Sequence, residues 1–167
     1  MNILVTVASK HGATGEIGEI IAGVLRGAGL ATETRRPQEV VSLDGYDAVV
    51  VGSAIYAGRW LEAARVFVDR HAAALATRPV WLFSSGPLGE PLMPAGEPPE
   101  PVAIATRLAA RGHQSFAGRL DRRRLGLLER TLTRAVRAPD GDFRDWEAIR
   151  SWADEIAVEL NPTEVVA

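Results

Sequence analysis

Short apolar runs alternate with stretches that repeat at helical spacing, and this alternation constrains the chain more than any other feature. Ile3-Leu4-Val5-Thr6-Val7, Ala48-Val49-Val50-Val51 and Val80-Trp81-Leu82-Phe83 lack polar alternation, as expected of strands buried on both faces. Ala31 to Arg36 reads as a more polar second strand stopped by Pro37, and Gln114 to Gly118 as a fifth. Between the first two, Ile17, Ile20, Ile21, Val24 and Leu25 form a helical stripe closed by Gly27 and Gly29. A second helix is predicted from about Trp60, with Leu61, Ala64, Val68, Ala72 and Leu75 on one face. A proline-rich loop, Pro87 to Pro101, precedes a short helix over Val102 to Arg111. Arg122 to Arg137 reads as an amphipathic helix, and Asp145 as the N-cap of a last one carrying Trp146, Ile149, Ala153, Ile156 and Leu160.

Alternating strands and helices imply an α/β fold, a three-layer α/β/α sandwich around a parallel sheet. Five strands suit the doubly wound order 2-1-3-4-5, whose ligands sit at the strands' carboxyl ends beside the first strand. Residues 1–160 are expected to form one domain, with a frayed tail from residue 161 to 167. The 167 residues include no cysteine, which excludes disulfides, thiol nucleophiles and Cys-ligated metals. Nineteen basic against 21 acidic residues, net −2, argue against general nucleic-acid binding. Eighteen of the basic residues are arginine; Lys10 is the only lysine. Ile3 to Ala8 is too short for a signal-peptide core, and no run reaches membrane-spanning length, so the expectation is a cytoplasmic protein.

Three loops should meet at the ligand edge. In Ser9-Lys10-His11-Gly12-Ala13-Thr14, hydroxyls, a glycine and a following helix N-terminus suit a phosphate cradle. Equally, Gly12 and Thr14 could simply turn the chain and cap the helix. Gly52-Ser53-Ala54-Ile55-Tyr56-Ala57-Gly58-Arg59-Trp60 offers two aromatics to a planar ring, although Trp60 is as well suited to anchoring the next helix in the core. Ser84-Ser85-Gly86-Pro87-Leu88-Gly89 supplies turn chemistry and open N–H groups. His71 and His113 read as structural or solvated; His11 falls at the site, facing either a phosphate or solvent. No catalytic acid–base pair, serine elbow or metal motif is present, so a bound cofactor would have to carry any reaction. A phospho-receiver is disfavoured because the first strand ends without an acidic pair for magnesium.

These residues resemble the flavodoxin-like superfamily, and within it the menaquinone-dependent protoporphyrinogen dehydrogenase type. The likeness runs through Ser9 to Thr14, Gly45 to Ile55, Phe67-Val68-Asp69-Arg70-His71, Phe116 to Leu120 with the basic stretch after it, and Asp145-Trp146-Glu147. The family's Arg-Tyr pair after the isoleucine is Tyr56-Ala57 here. The resemblance implies FMN as cofactor. It implies that Ser9, His11, Gly12, Ala13 and Thr14 surround the phosphate. Ser53, Ala54, Ile55, Tyr56, Ala57 and Gly58 would border one side of the isoalloxazine, and Ser85, Gly86, Pro87, Leu88 and Gly89 the other side or the pyrimidine edge. The implied activity is an oxidoreductase taking electrons from protoporphyrinogen IX or a similar small donor and giving them to a quinone, with no catalytic residue assigned. The alternatives are a small electron carrier serving protein partners and a flavin-free binding domain.

Between Arg119 and Arg137, seven arginines face only Asp121 and Glu129, an excess of five positive charges. At helical spacing Arg123, Arg130, Arg134 and Arg137 share a sector opposite Leu125, Leu128, Leu132 and Val136. That sector would suit an anionic membrane surface at the inner face, near a quinone, or an acidic partner; a merely solvated helix face is the other reading.

Overall fold

A computed structural model describes residues 1–86, 98–121, 123, 126 and 140–161. β1 (Asn2–Ala8) is flanked in parallel by β2 (Ala31–Arg35) and β3 (Ala48–Tyr56). β5 (Val80–Ser85) and β6 (Gly112–Phe116) continue the parallel sheet, and a two-residue β4 (Arg59–Trp60) folds back antiparallel on β3. The order β2-β1-β3-β5-β6 is the predicted 2-1-3-4-5 with the short β4 counted in. β7 (Arg119–Leu120) and β8 (Gly141–Asp142) pair as a separate antiparallel ribbon.

Period-two alternation sorts the strand side chains into two cores. Ile3, Val5, Val50, Trp81 and Phe83 face α1 (Ala13–Gly27) and, through Ile149, Ala153 and Ile156, the last helix, α5 (Trp146–Leu160). Leu4, Val49, Val51 and Leu82 face the opposite layer of α2 (Glu62–Arg70), α3 (Ala72–Leu75) and α4 (Pro99–Leu108). Ile17, Ile21 and Leu25 are fully buried, each contributing about 1.5–3 kcal/mol of burial free energy. Gly18 lets α1 approach β1 closely, since a Cβ there would stand 2.5 Å from Val7.

Several boundaries differ from the sequence reading. The second helix starts at Glu62 because Trp60 belongs to the hairpin, and it breaks at His71, whose Nε2 lies 3.3 Å from the Val40 carbonyl. α4 begins earlier than predicted because Pro99 and Pro101 occupy its first turn, where a missing N–H costs no helical bond. β6 begins two residues early, Gly112 packing against the Trp81 ring. Asp145 caps α5 as expected, accepting from the Glu147 and Ala148 amides at 3.0 and 2.9 Å. The Arg122–Arg137 helix lies almost wholly outside the described residues, as do Met93 with most of the proline-rich loop and the tail beyond Asn161.

Candidate functional site

The carboxyl ends of β1, β3 and β5 come together, as the doubly wound order requires. At the first, Gly12 adopts φ +87°, and its N–H donates to Ser9 Oγ at 3.1 Å. That left-handed turn suits glycine, and nothing lies within 4 Å of where a Cβ would be. Gly12 is also the N-cap position of α1, which therefore begins without a side-chain cap. Thr14, the other candidate cap, is buried. The first-turn amides of α1, and the positive end of its dipole, are left for an anion.

A crevice of about 810 Å³ opens beside this turn. Ser9, Lys10, Gly12 and Gly15 form one wall, and Arg35 and Arg36 at the end of β2 belong to the other. Beside the second wall, Arg35 and Tyr46 both hydrogen-bond Glu33, holding its carboxyl below the usual carboxylate value. Burial, then the Glu33 carboxylate, pushes the Tyr46 phenol up.

The second predicted loop is a β-hairpin. Ile55 pairs with Trp60 and Tyr56 with Arg59, around Ala57 and Gly58 at φ 50° and 76°. Positive φ at both central residues marks the type I′ turn that suits two-residue hairpins. Ser53 is buried inside the strand as a brace, donating to the Ala54 carbonyl and accepting from the Leu61 amide. Trp60 takes the core-anchor role: it is buried, and Nε1 donates to Ser84 Oγ at 2.8 Å. Ser84 Oγ also lies 2.9 Å from His113 Nε2. Glu100 on α4 ties the hairpin down, accepting from the Trp60 amide at 2.7 Å and pairing with Arg59 at 3.1 Å. Tyr56, in contrast, is 41% exposed, with the Lys10 ammonium 5.8 Å from its ring centre. That contact links the first loop to the hairpin.

The third loop is tighter than expected. The Gly86 N–H is not open but donates to the Phe116 carbonyl at 3.3 Å. A Cβ on Gly86 would stand 2.9 Å from Ile55 Cβ, and one on Gly118 would stand 3.4 Å from Gly86 Cα. Ser85 is buried; Pro87, Leu88 and Gly89 lie outside the described residues. His11 is half-buried in the first loop, and His71 and His113 are embedded in the fold. Of the sequence candidates, only Ser9 and Gly12 line the crevice; Ser53 to Gly58, Ser85 and Gly86 lie on the β3–β5 side of the edge.

The sequence did not single out Arg144. Its side chain is 2% exposed, gripping Asp142 with Nε and Nη2 at 2.8 and 2.6 Å and lying 4.3 Å from the Trp146 ring centre. Nη1 reaches the Ala13 carbonyl at 3.0 Å and Glu16 at 2.8 Å, both on the first turns of α1. The Asp142 pairing, partly offset by burial and reinforced by Glu16, raises the guanidinium's pKa; the same pairing lowers that of Asp142. The partners lie 131 and 128 residues away in sequence, so no local pattern signals the contact. Glu100, 40 residues from Trp60, has no local signal in the sequence for the same reason.

Among the described residues, no cluster of His, Asp or Glu could hold a metal ion. No helix among them is long and apolar enough to cross a membrane. The site is therefore an uncapped helix N-terminus and a glycine turn, with an ordered hairpin beside them.

A sequence model described as a flavodoxin domain matches residues 4–146, and the chain belongs to that family. A flavodoxin from the domain Archaea superposes with a TM-score of 0.68 at 15% identity, covering 96% of this chain and 99% of that one. Oxidised flavodoxin 1 from Bacillus cereus gives 0.62 at 17% identity, covering 95% and 98%. The rubredoxin oxygen:oxidoreductase of Desulfovibrio gigas gives 0.69 at 12% identity, and the match spans 99% of this chain but 37% of that larger one. No curated protein matches by sequence. Flavodoxin domains bind FMN, which is the cofactor of this site. The residues fit it: the uncapped α1 N-terminus and open Gly12 turn suit its phosphate, with the Lys10 cation alongside.

Proposed function

We propose that this flavodoxin-domain protein is an FMN-dependent oxidoreductase that oxidises a small, carboxylate-bearing donor of the protoporphyrinogen IX class and reduces a quinone. One observation carries the reading. The hairpin offers an exposed aromatic face, Tyr56, with Lys10 over the ring; its cross-strand partner Arg59, on the same side, is paired to Glu100. An aromatic face with a cation over it suits a flat or macrocyclic donor with acidic substituents better than a basic patch on a carrier's protein partner. The overall net charge of −2 and the arginine-rich stretch from Arg119 point the same way. FMN supplies the electron-accepting ring. The first turn of α1 would hold the phosphate through backbone amides, and Tyr56 with Lys10 would orient the donor. Each two-electron oxidation of the donor passes two electrons and two protons on to one quinone, giving one quinol. In this reading Arg123, which is exposed, together with Arg130, Arg134 and Arg137, meets the anionic membrane surface where the quinone resides.

A second reading, an electron carrier for protein partners, draws on the end-to-end match to single-domain flavodoxins. Protein purified with and without added FMN is first examined by visible absorption and by chromatography of the released cofactor. Stoichiometric FMN with saturable quinone reduction by protoporphyrinogen supports the enzyme. FMN with exchange only to a reductase supports the carrier, and no flavin at all leaves a binding domain.

A further inference from the structure

The geometry points to Arg144 as a positioning residue that sets the strength of the phosphate cradle from behind, through the Ala13–Thr14 peptide and Glu16; this rests on the reading that the first turn of α1 receives the FMN phosphate. In a planar trans peptide the carbonyl and the following N–H point in opposite directions. Arg144 Nη1 bonds the Ala13 carbonyl at 3.0 Å, so the Thr14 N–H of the same unit points out of the helix N-terminus, toward the cradle. A cation on the carbonyl polarises the peptide and makes that N–H a stronger donor.

The same nitrogen neutralises a liability. Glu16 lies in the first turn of α1, where an unmasked carboxylate would oppose a phosphate held at the helix N-terminus. Arg144 at 2.8 Å and Arg119 at 3.3 Å hold its carboxylate between them. Asp142 fixes the guanidinium in turn, and β7–β8 fixes Asp142, because Arg119 and Asp142 are register partners. The Phe143 amide bonds the Gly118 carbonyl at 3.1 Å and locks the ribbon to the body. The groups facing Arg144 are thus two carboxylates, one carbonyl and the Trp146 ring, with Arg119 sharing Glu16.

The test compares FMN with riboflavin, which lacks the phosphate, by equilibrium titration of purified apoprotein. The wild type should prefer FMN. Arg144→Met should weaken FMN by roughly tenfold while leaving riboflavin within about twofold, because only the phosphate senses the lost charge-assisted bond. Adding Glu16→Gln to Arg144→Met should recover part of the FMN affinity by removing the unmasked carboxylate. If Arg144→Met does not fold, Arg144→Lys takes its place; it keeps the charge but cannot span Asp142 and Ala13 together, so a smaller loss with the same FMN selectivity is expected. Equal losses for FMN and riboflavin, or none for either, would overturn the positioning role. A wild type that binds both flavins equally would instead remove the cradle reading, and the inference with it.

Discussion

The two ends of the site are built by different physics. Apart from the Glu100 tie to the Trp60 amide and Arg59, the hairpin end is local and packed. Its strands lie within a few residues of one another, and its anchor, Trp60, is buried with one neutral hydrogen bond to Ser84. The α1 end is ionic and assembled over long range: Arg144 reaches back more than 120 residues to hold the turn that leaves its amides open. An aromatic anchor derives its strength from displaced water and is insensitive to pH. A guanidinium–carboxylate clamp derives its strength from charge, so acid and mutation of one partner weaken it. A cofactor with a flat ring at one end and a phosphate at the other suits that division.

The largest expected effect falls on the packed end. Trp60→Ala should cost about 3–5 kcal/mol in urea unfolding, since it empties a fully enclosed site and leaves the Ser84 hydroxyl without its indole donor. A loss below about 1 kcal/mol would mean that the hairpin is held mainly by Glu100. Gly52→Ala comes next, about 1–3 kcal/mol by the same measurement, because the new methyl would stand 2.1 Å from the Phe83 ring in a strand with no room to yield. Smaller and opposite in sign, Ala57→Gly should stabilise by about 1 kcal/mol, relieving a side chain held at φ 50° in the hairpin turn.

The smallest effect would sharpen the contrast between the two ends. The folded pKa of Asp142 is lowered, chiefly by Arg144. Its stabilisation is therefore complete above the unfolded value near 3.8 and is lost as pH falls through the lower folded value. Hydrogen exchange of the Glu16 and Phe143 amides, bonded to the Gly12 and Gly118 carbonyls, should accelerate across that acid window while the backbone-paired amides of the hairpin stay protected. Asp142→Asn should remove the acid dependence. Equal acid sensitivity at both ends would dissolve the comparison.

Strand order and layers were legible because period-two burial and helical stripes are written in neighbouring residues: Val49 and Val51 on one face, Val50 on the other. The glycine turn leading into α1 was legible too, because Gly12 and the following helix are consecutive. The hairpin was half legible. Tyr56 and Trp60 stood out as aromatics, but the residues between them read as loop because Ala57 gives no sign of its left-handed turn. The sequence by itself determined the sheet, its order and the glycine turn into α1 at its edge, all consequences of local periodicity and chain connectivity. The tertiary structure decided which groups are spoken for: the Gly86 amide, the Ser53 hydroxyl, the Trp60 indole, Glu100 and the Arg144 clamp. Hydrogen bonds between distant residues leave no period in a sequence; only folding brings their partners within 3 Å.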